Sequence, residues 1–226
     1  MTAATILAQA GEQPWLDLPW IQRNADHIWE QFVEHLLLTA LPLVFGTIIA
    51  FVLGLLAVRW PKLYSPLLSL TGLVFTIPSL ALFVLLIGFT RLTIWTAVIP
   101  LTIYTLLILV RNIVEGFRGV APEVRDAAEA MGFRRAHRIL RVELPLALPV
   151  IFAGIRIATV TTVGLVTISA LVGQGGLGQL FLDGFARRFA TPLIIALVLS
   201  VALAVVADLV LLAIQRALTP WTTKEA

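Results

Sequence analysis

No cysteine occurs among the 226 residues. That excludes a disulfide frame, Cys-ligated zinc, an iron–sulfur cluster and a thiol nucleophile, and it removes cysteine usage as a guide to redox compartment. Charge is scarce as well: Asp, Glu, Lys and Arg make up 13% of the chain, where an ordinary soluble domain carries about 25%. Too few polar residues remain to clothe a water-facing globule. The net charge of +3 does not make a nucleic-acid binder, because the arginines are spread over loops and form no continuous basic stripe. No Gly-rich string ending in Gly-Lys-Ser/Thr is present, so phosphate chemistry would have to come from another chain. His27, His35 and His137 lie far apart and form no metal-ligand set, and neither Ser79 nor Ser169 has a base near it in sequence. No metal site is expected, and a membrane-embedded enzyme has little support.

What is present is apolar. Hydrophobic residues make up 59% of the chain and the mean hydropathy is +0.98. A helix needs about 20 apolar residues to cross the hydrocarbon core, and five stretches qualify, at about 36–58, 67–89, 92–114, 147–172 and 192–217. The expectation is an all-α polytopic membrane bundle spanning 33–218, with an N-terminal segment 1–32 and a short tail 219–226. Pro42, Pro78, Pro100 and Pro149 fall within or at the edges of the spans, where neighbouring helices can re-satisfy freed carbonyls; kinks are expected near Pro78 and Pro100. The N-terminal Ala8-Gln9-Ala10 resembles a cleavage site, but a positive leading region is lacking and the apolar run is short, which argues against a cleaved signal peptide. Trp15–Trp29 reads either as a short surface helix or as a disordered lead.

Orientation follows from Lys and Arg. With the N-terminus outside, inner segments hold Arg59, Lys62, Arg111, Arg118, Arg125, Arg134, Arg135, Arg138, Arg141, Arg216 and Lys224. Outer segments hold only Arg23, Arg91, Arg187 and Arg188. The N-terminal head adds Glu12, Asp17, Asp26, Glu30 and Glu34, and Trp29, Trp60, Trp95 and Trp221 stand near span boundaries. The expected topology is N-out, C-in. No repeat of about 20–50 residues is visible, and an odd number of spans argues against two inverted halves in one chain; a two-fold pathway would require a second chain, identical or related.

The longest inner polar stretch, 117–145, joins the third and fourth spans. Pro122 suits the first position of a helix, and Val124, Ala127, Ala128 and Met131 recur at i, i+3, i+4 and i+7 to give one apolar face. Gly132 can end that helix in a left-handed conformation. A second short helix is expected from Phe133 to about Val142, with Pro145 restarting the chain into the membrane. Small alanines allow close docking on a partner protein; the other reading is a helix resting on the anionic inner leaflet.

The stretch resembles the "EAA" loop of binding-protein-dependent ABC importer permeases, whose pattern is Glu-Ala-Ala, three residues, Gly, nine residues, Ile-x-Leu-Pro. Here it reads Asp126-Ala127-Ala128, Gly132 and Val142-Glu143-Leu144-Pro145, with Asp for Glu and Val for Ile. Thr76-Ile77-Pro78-Ser79-Leu80-Ala81-Leu82, Glu143-Leu144-Pro145-Leu146-Ala147-Leu148-Pro149 and Val172-Gly173-Gln174-Gly175-Gly176-Leu177-Gly178 resemble the permeases for glycine betaine, choline and carnitine. The resemblance implies a type I importer permease (MetI-like) in a bacterial inner membrane. It also implies a cytoplasmic ATPase dimer that carries ATP and Mg, a second permease chain and an extracytoplasmic solute-binding protein. Glu123, Asp126, Ala127, Ala128, Met131, Gly132, Val142, Leu144 and Pro145 would form the ATPase-coupling segment, and the chain itself would hold no cofactor. The same architecture could serve methionine or another amino-acid-like solute.

Gly173, Gly175 and Gly178 also fit a G-x-G-x-x-G string, but they follow a membrane span and not a strand, so a non-helical turn is the better reading. Arg156 and Asp208 are charges inside spans, where isolation is costly. Each lies about 16–18 Å from its inner end at 1.5 Å per residue, so they are expected to pair as a structural element, with a pathway role as the minority reading. Thr76, Pro78, Ser79, Thr161, Thr162, Ser169, Gly175, Gly176 and Gly178 are the candidates for a translocation pathway.

Overall fold

The structure, a computed structural model, describes residues 15–221; the Ala8-Gln9-Ala10 stretch, Glu12 and Lys224 lie outside the described residues. Every regular element in it is helical. Asp17 caps α1 (Leu18–Arg23), its Oδ1 accepting from the Trp20 N–H at 2.9 Å, the usual service of a side-chain oxygen to an orphan first-turn donor. α2 (Ala25–Arg59) follows after Asn24 and runs through Pro42. It begins eleven residues ahead of the expected span, because Asp26, Glu30 and Glu34 extend the helix beyond the apolar stretch.

The second span departs from the expected single helix with a kink. It is broken into α3 (Tyr64–Phe75) and α4 (Ser79–Thr90), with a non-helical Thr76–Pro78 between. Pro78 has no N–H and disfavours the helical conformation at Ile77. The freed groups are re-satisfied locally: Thr76 Oγ1 donates to Leu73 O at 2.6 Å and Tyr104 Oη to Ile77 O at 2.6 Å. Irregular backbone survives among apolar helices only when paired in this way. Pro100, by contrast, sits inside α5 (Trp95–Arg118), which continues as one helix.

α6 (Pro122–Ala130) and α7 (Arg135–Arg138) form the polar segment, and a π-type turn at Ile139–Glu143 leads without interruption into α8 (Leu144–Ser169). After Ala170–Val172 and a glycine loop come α9 (Leu177–Arg187), which has no counterpart in the sequence reading, and α10 (Ala190–Leu218). Among the described residues four helices are long and apolar enough to span a membrane, and five segments result when α3 and α4 count as one broken span.

The chain divides into two compact units. One comprises the part up to Ala40, Ser79–Pro100 and Val163–Ala204; Leu177, Leu180 and Ala196 are buried there with Phe32 and Phe181 against them. The other comprises Leu41–Pro78, Leu101–Thr162 and Val205 onward, around Ala57, Leu109, Ile113, Phe117 and Ile151. In the second unit Gly54 lets α2 meet α5 closely: a Cβ there would lie 2.5 Å from Ile113 Cγ2, the small-residue contact by which membrane helices gain packing.

Candidate functional site

α5 ends at Arg118, and Gly119–Ala121 turn the chain into α6 with Pro122 at its first position. The end of α6 is built from two bonds: Gly132 N–H donates to Glu129 O at 2.9 Å and Phe133 N–H to Ala128 O at 3.1 Å. This is the Schellman pattern, which requires a left-handed residue, and Gly132 supplies it with φ +83° and no atom within 4 Å of a would-be Cβ. The expected apolar face divides: Ala128 is 1% exposed and packs inward, while Val124, Ala127 and Met131 are exposed, Met131 at 70%. Glu123 and Asp126 are exposed as well. The outward surface of α6 is therefore a small apolar strip flanked by the carboxylates of Glu123 and Asp126, with Glu129 exposed beside Arg138.

The second short helix is shorter than expected. α7 holds only Arg135–Arg138, and Leu144 N–H then bonds to Ile139 O, five residues back. Pro145 explains the wide turn: it cannot donate to Arg141 O and its ring would crowd that carbonyl, so the helix takes in one extra residue. Pro145 therefore does not restart the chain; it is built into a continuous entry to α8. Val142, Leu144 and Pro145 are half-buried.

The turn brings Glu143 inward, where it is 3% exposed. Its Oε1 accepts from Arg138 Nε at 2.8 Å, and its Oε2 lies 3.5 Å from Arg125 Nε. Arg125 also donates through Nη2 to Phe117 O, and Arg138 through Nη1 to Glu129. One buried carboxylate thus accepts a hydrogen bond from a guanidinium of α7 and lies in ion-pair range of one from α6, whose Nε makes no hydrogen bond of its own. A further donor of each reaches the side of α6 and the end of α5. Such a carboxylate is tolerated because it is both paired and hydrogen-bonded.

The other sequence candidates are distributed. Arg156 and Asp208 form a bidentate pair, Nε to Oδ1 and Nη2 to Oδ2, both 2.7 Å, with each side chain 28% exposed. The pair borders an open recess of about 530 Å³ with Ala153, Ile157, Val160 and Thr161. Thr76 and Pro78 are exposed and Ser79 half-buried. Thr162 and Ser169 are buried; the Thr162 hydroxyl donates to Ala158 O at 2.7 Å, and the single Ser169 hydroxyl proton is placed between Val166 O, at 2.8 Å, and Gln174 O. Gly175 and Gly176 are buried in the loop before α9, and Gly178, expected in a non-helical turn, is buried in the first turn of α9 itself.

Residues 43–222 match the family described as the inner membrane component of binding-protein-dependent transport systems. The chain belongs to that family. It is 33% identical over 207 residues to the glycine betaine/carnitine/choline transport system permease protein OpuCD of Bacillus subtilis, covering 91% of this chain and 90% of that one. It is 38% identical over 202 residues to the osmoprotectant import permease protein OsmW of Salmonella typhimurium, covering 87% and 94%. Among solved structures, an inward-facing MetNI methionine ABC transporter chain aligns with TM-score 0.77 and 28% identity, covering 90% of this chain and all of that one.

The chain is thus a multi-pass inner-membrane ABC importer permease, a transport subunit and not an enzyme. For this permease, sequence reasoning named the outward Glu123, Asp126, Ala127, Met131 and Gly132 together with the packed Ala128, Val142, Leu144 and Pro145, and missed the charges that hold the segment together. Arg125 and Glu129 stand one helical turn apart and suggest a pair with each other, but they pair instead with Glu143 and Arg138. Pro145 is the visible cause of the π-type turn, while the inward placement of Glu143 that follows from it is not legible in the spacing.

Proposed function

We propose that this permease admits a small quaternary-amine osmoprotectant, such as glycine betaine, choline or carnitine, using ATP hydrolysed with Mg²⁺ on a separate cytoplasmic ATPase dimer. The observation that carries the substrate class is the set of relatives that are 31–38% identical over about nine-tenths of this chain and named for those solutes or for osmoprotectant import. Methionine is the second reading, supported by the 28% identical MetNI structure. A second permease chain, identical or paralogous, completes the pathway, and an extracytoplasmic binding protein delivers the solute, its selectivity resting on aromatic rings that attract quaternary cations.

The segment 117–145 is the ATPase-docking element in this proposal. Glu123, Asp126, Ala127 and Met131 form the contact surface, Gly132 fixes where the helix ends, and Ala128, Val142, Leu144 and Pro145 seat it against the bundle. The arginines in and around this segment support a cytoplasmic placement, with the N-terminus outside. Thr76, Pro78, Ser79 and Thr161 are the proposed pathway residues; Thr162, Ser169, Gly175, Gly176 and Gly178 are buried and have the supporting place in this proposal. Arg156 and Asp208 serve as a structural tie.

The test is purification of the assembled complex from membranes. An ATPase should accompany the permease and be lost when Asp126 and Gly132 are both replaced, by Lys and Val. The binding protein recovered with it should take betaine, choline or carnitine in calorimetric titration. Methionine binding alone would displace the proposed substrate class, and a permease purifying without any ATPase would displace the docking assignment.

A further inference from the structure

We infer that Glu143 is a positioning residue for energy coupling: its buried carboxylate locks α6 to the foot of α8, so that a displacement of α6 is delivered to the membrane helix instead of being absorbed in the loop. The inference rests on the reading of α6 as the ATPase-docking helix.

Apart from the packing of the buried Ala128, α6 is joined to the entry of α8 by ion pairs that meet at Glu143. Gly119 and Gly132 flank α6, and its outward residues Glu123, Val124, Ala127 and Met131 are exposed. The inward attachments run through two arginines. Arg125 on α6 reaches Glu143 and the Phe117 carbonyl, and Arg138 on α7 reaches Glu143 and Glu129 on α6. Glu143 is the member common to both, and it is the buried one, at 4% side-chain exposure against 62% for Glu129. An exposed pair such as Arg138–Glu129 is screened and contributes little. A buried carboxylate with two cationic partners is different: removing its charge leaves Arg125 with only the Phe117 carbonyl and Arg138 with only the exposed Glu129 as partners.

Position strengthens the case. Glu143 is the last residue of the π-type turn, and Leu144 begins the 26-residue α8. A force on α6 carried by Arg125 and Arg138 therefore enters α8 at its first turn. The carboxylate takes no part in the proposed ATPase contact surface, since it faces inward.

The experiment compares solute imported per ATP hydrolysed in proteoliposomes holding the complete transporter, with betaine as the solute. A residue that only stabilises the fold changes the amount of complex recovered and leaves this ratio unaltered; a coupling residue changes the ratio. Glu143→Gln is nearly isosteric and should retain the ATPase subunits while lowering the ratio about ten-fold, within the range of typical coupling energies. Arg138→Gln removes the same contact from the other side and should lower the ratio without adding to Glu143→Gln in the double variant. Arg141→Gln, a neutralisation on the exposed side of the same turn, should leave the ratio at the wild-type value. If Glu143→Gln does not assemble, Arg138→Gln alone decides. An assembled Glu143→Gln or Arg138→Gln complex with the wild-type ratio overturns the inference. Should the wild-type permease itself retain no ATPase, the docking reading fails first and takes the inference with it, and that failure is visible before any substitution is made.

Discussion

Gly176 has φ +46°, and a Cβ built on it would lie 2.5 Å from the backbone N of His35 and 2.7 Å from Gln31 O. Both neighbours are backbone atoms of α2, so no side-chain rotation can relieve the contact. The loop before α9 is seated on α2 only because this residue has no side chain. Gly88 has the opposite surroundings: it lies inside α4 with nothing within 4 Å of a would-be Cβ. Alanine at the two positions should therefore act in opposite directions. Gly176→Ala is expected to cost about 1–3 kcal/mol through strain and overpacking, and Gly88→Ala to stabilise by about 0.5–1 kcal/mol through helix preference. Thermal unfolding of the detergent-purified permease followed by fluorescence reads both; equal midpoints for the two variants would refute the packing argument.

At the scale of elements, Arg156 ties α8 to α10 through Asp208 with both nitrogen–oxygen contacts at 2.7 Å. A charge left alone at this depth in a span is costly, so Arg156→Asp and Asp208→Arg should each reduce the amount of folded permease in membranes. The double swap should restore it, because the bidentate geometry tolerates exchange of partners better than loss of one. A swap that restores nothing would show that surrounding groups, and not the pair, fix the two charges. This tie was legible in the sequence because matching depths and opposite charges suffice to suggest it. The spans were legible too, since length and apolarity define them. Other elements were not. A kink at Pro78 was legible, but a full break over Thr76–Pro78 was not, because it also draws on Tyr104, 27 positions away, donating to Ile77 O. α9 is amphipathic, with Leu177, Leu180 and Gly184 turned inward, but at eleven residues it is too short to register as a span. The face proposed for α6 divided because Ala127 and Ala128, adjacent in sequence, point about 100° apart on a helix, and tertiary packing chose only one of them.

At the scale of the whole molecule the proposed direction of transport depends on which side of the membrane carries the 117–145 segment, and orientation is open to a direct measurement. The chain has no cysteine, so single cysteines can be placed without first removing native ones. Lys62 lies in the exposed turn between α2 and α3, and Arg188 in the exposed turn between α9 and α10. The distribution of Lys and Arg puts Lys62 inside and Arg188 outside. With the outer membrane opened, a membrane-impermeant maleimide should label Arg188→Cys in intact cells and label Lys62→Cys only after the inner membrane is permeabilised. Ala130→Cys, at the exposed end of α6, should behave like Lys62→Cys, and should in addition be shielded when the ATPase is bound, because docking would cover that surface. Labelling of Ala130→Cys from outside would remove α6 from the compartment that holds ATP. The ATPase-docking proposal and the coupling role of Glu143 would then both be untenable, whatever the identity of the solute.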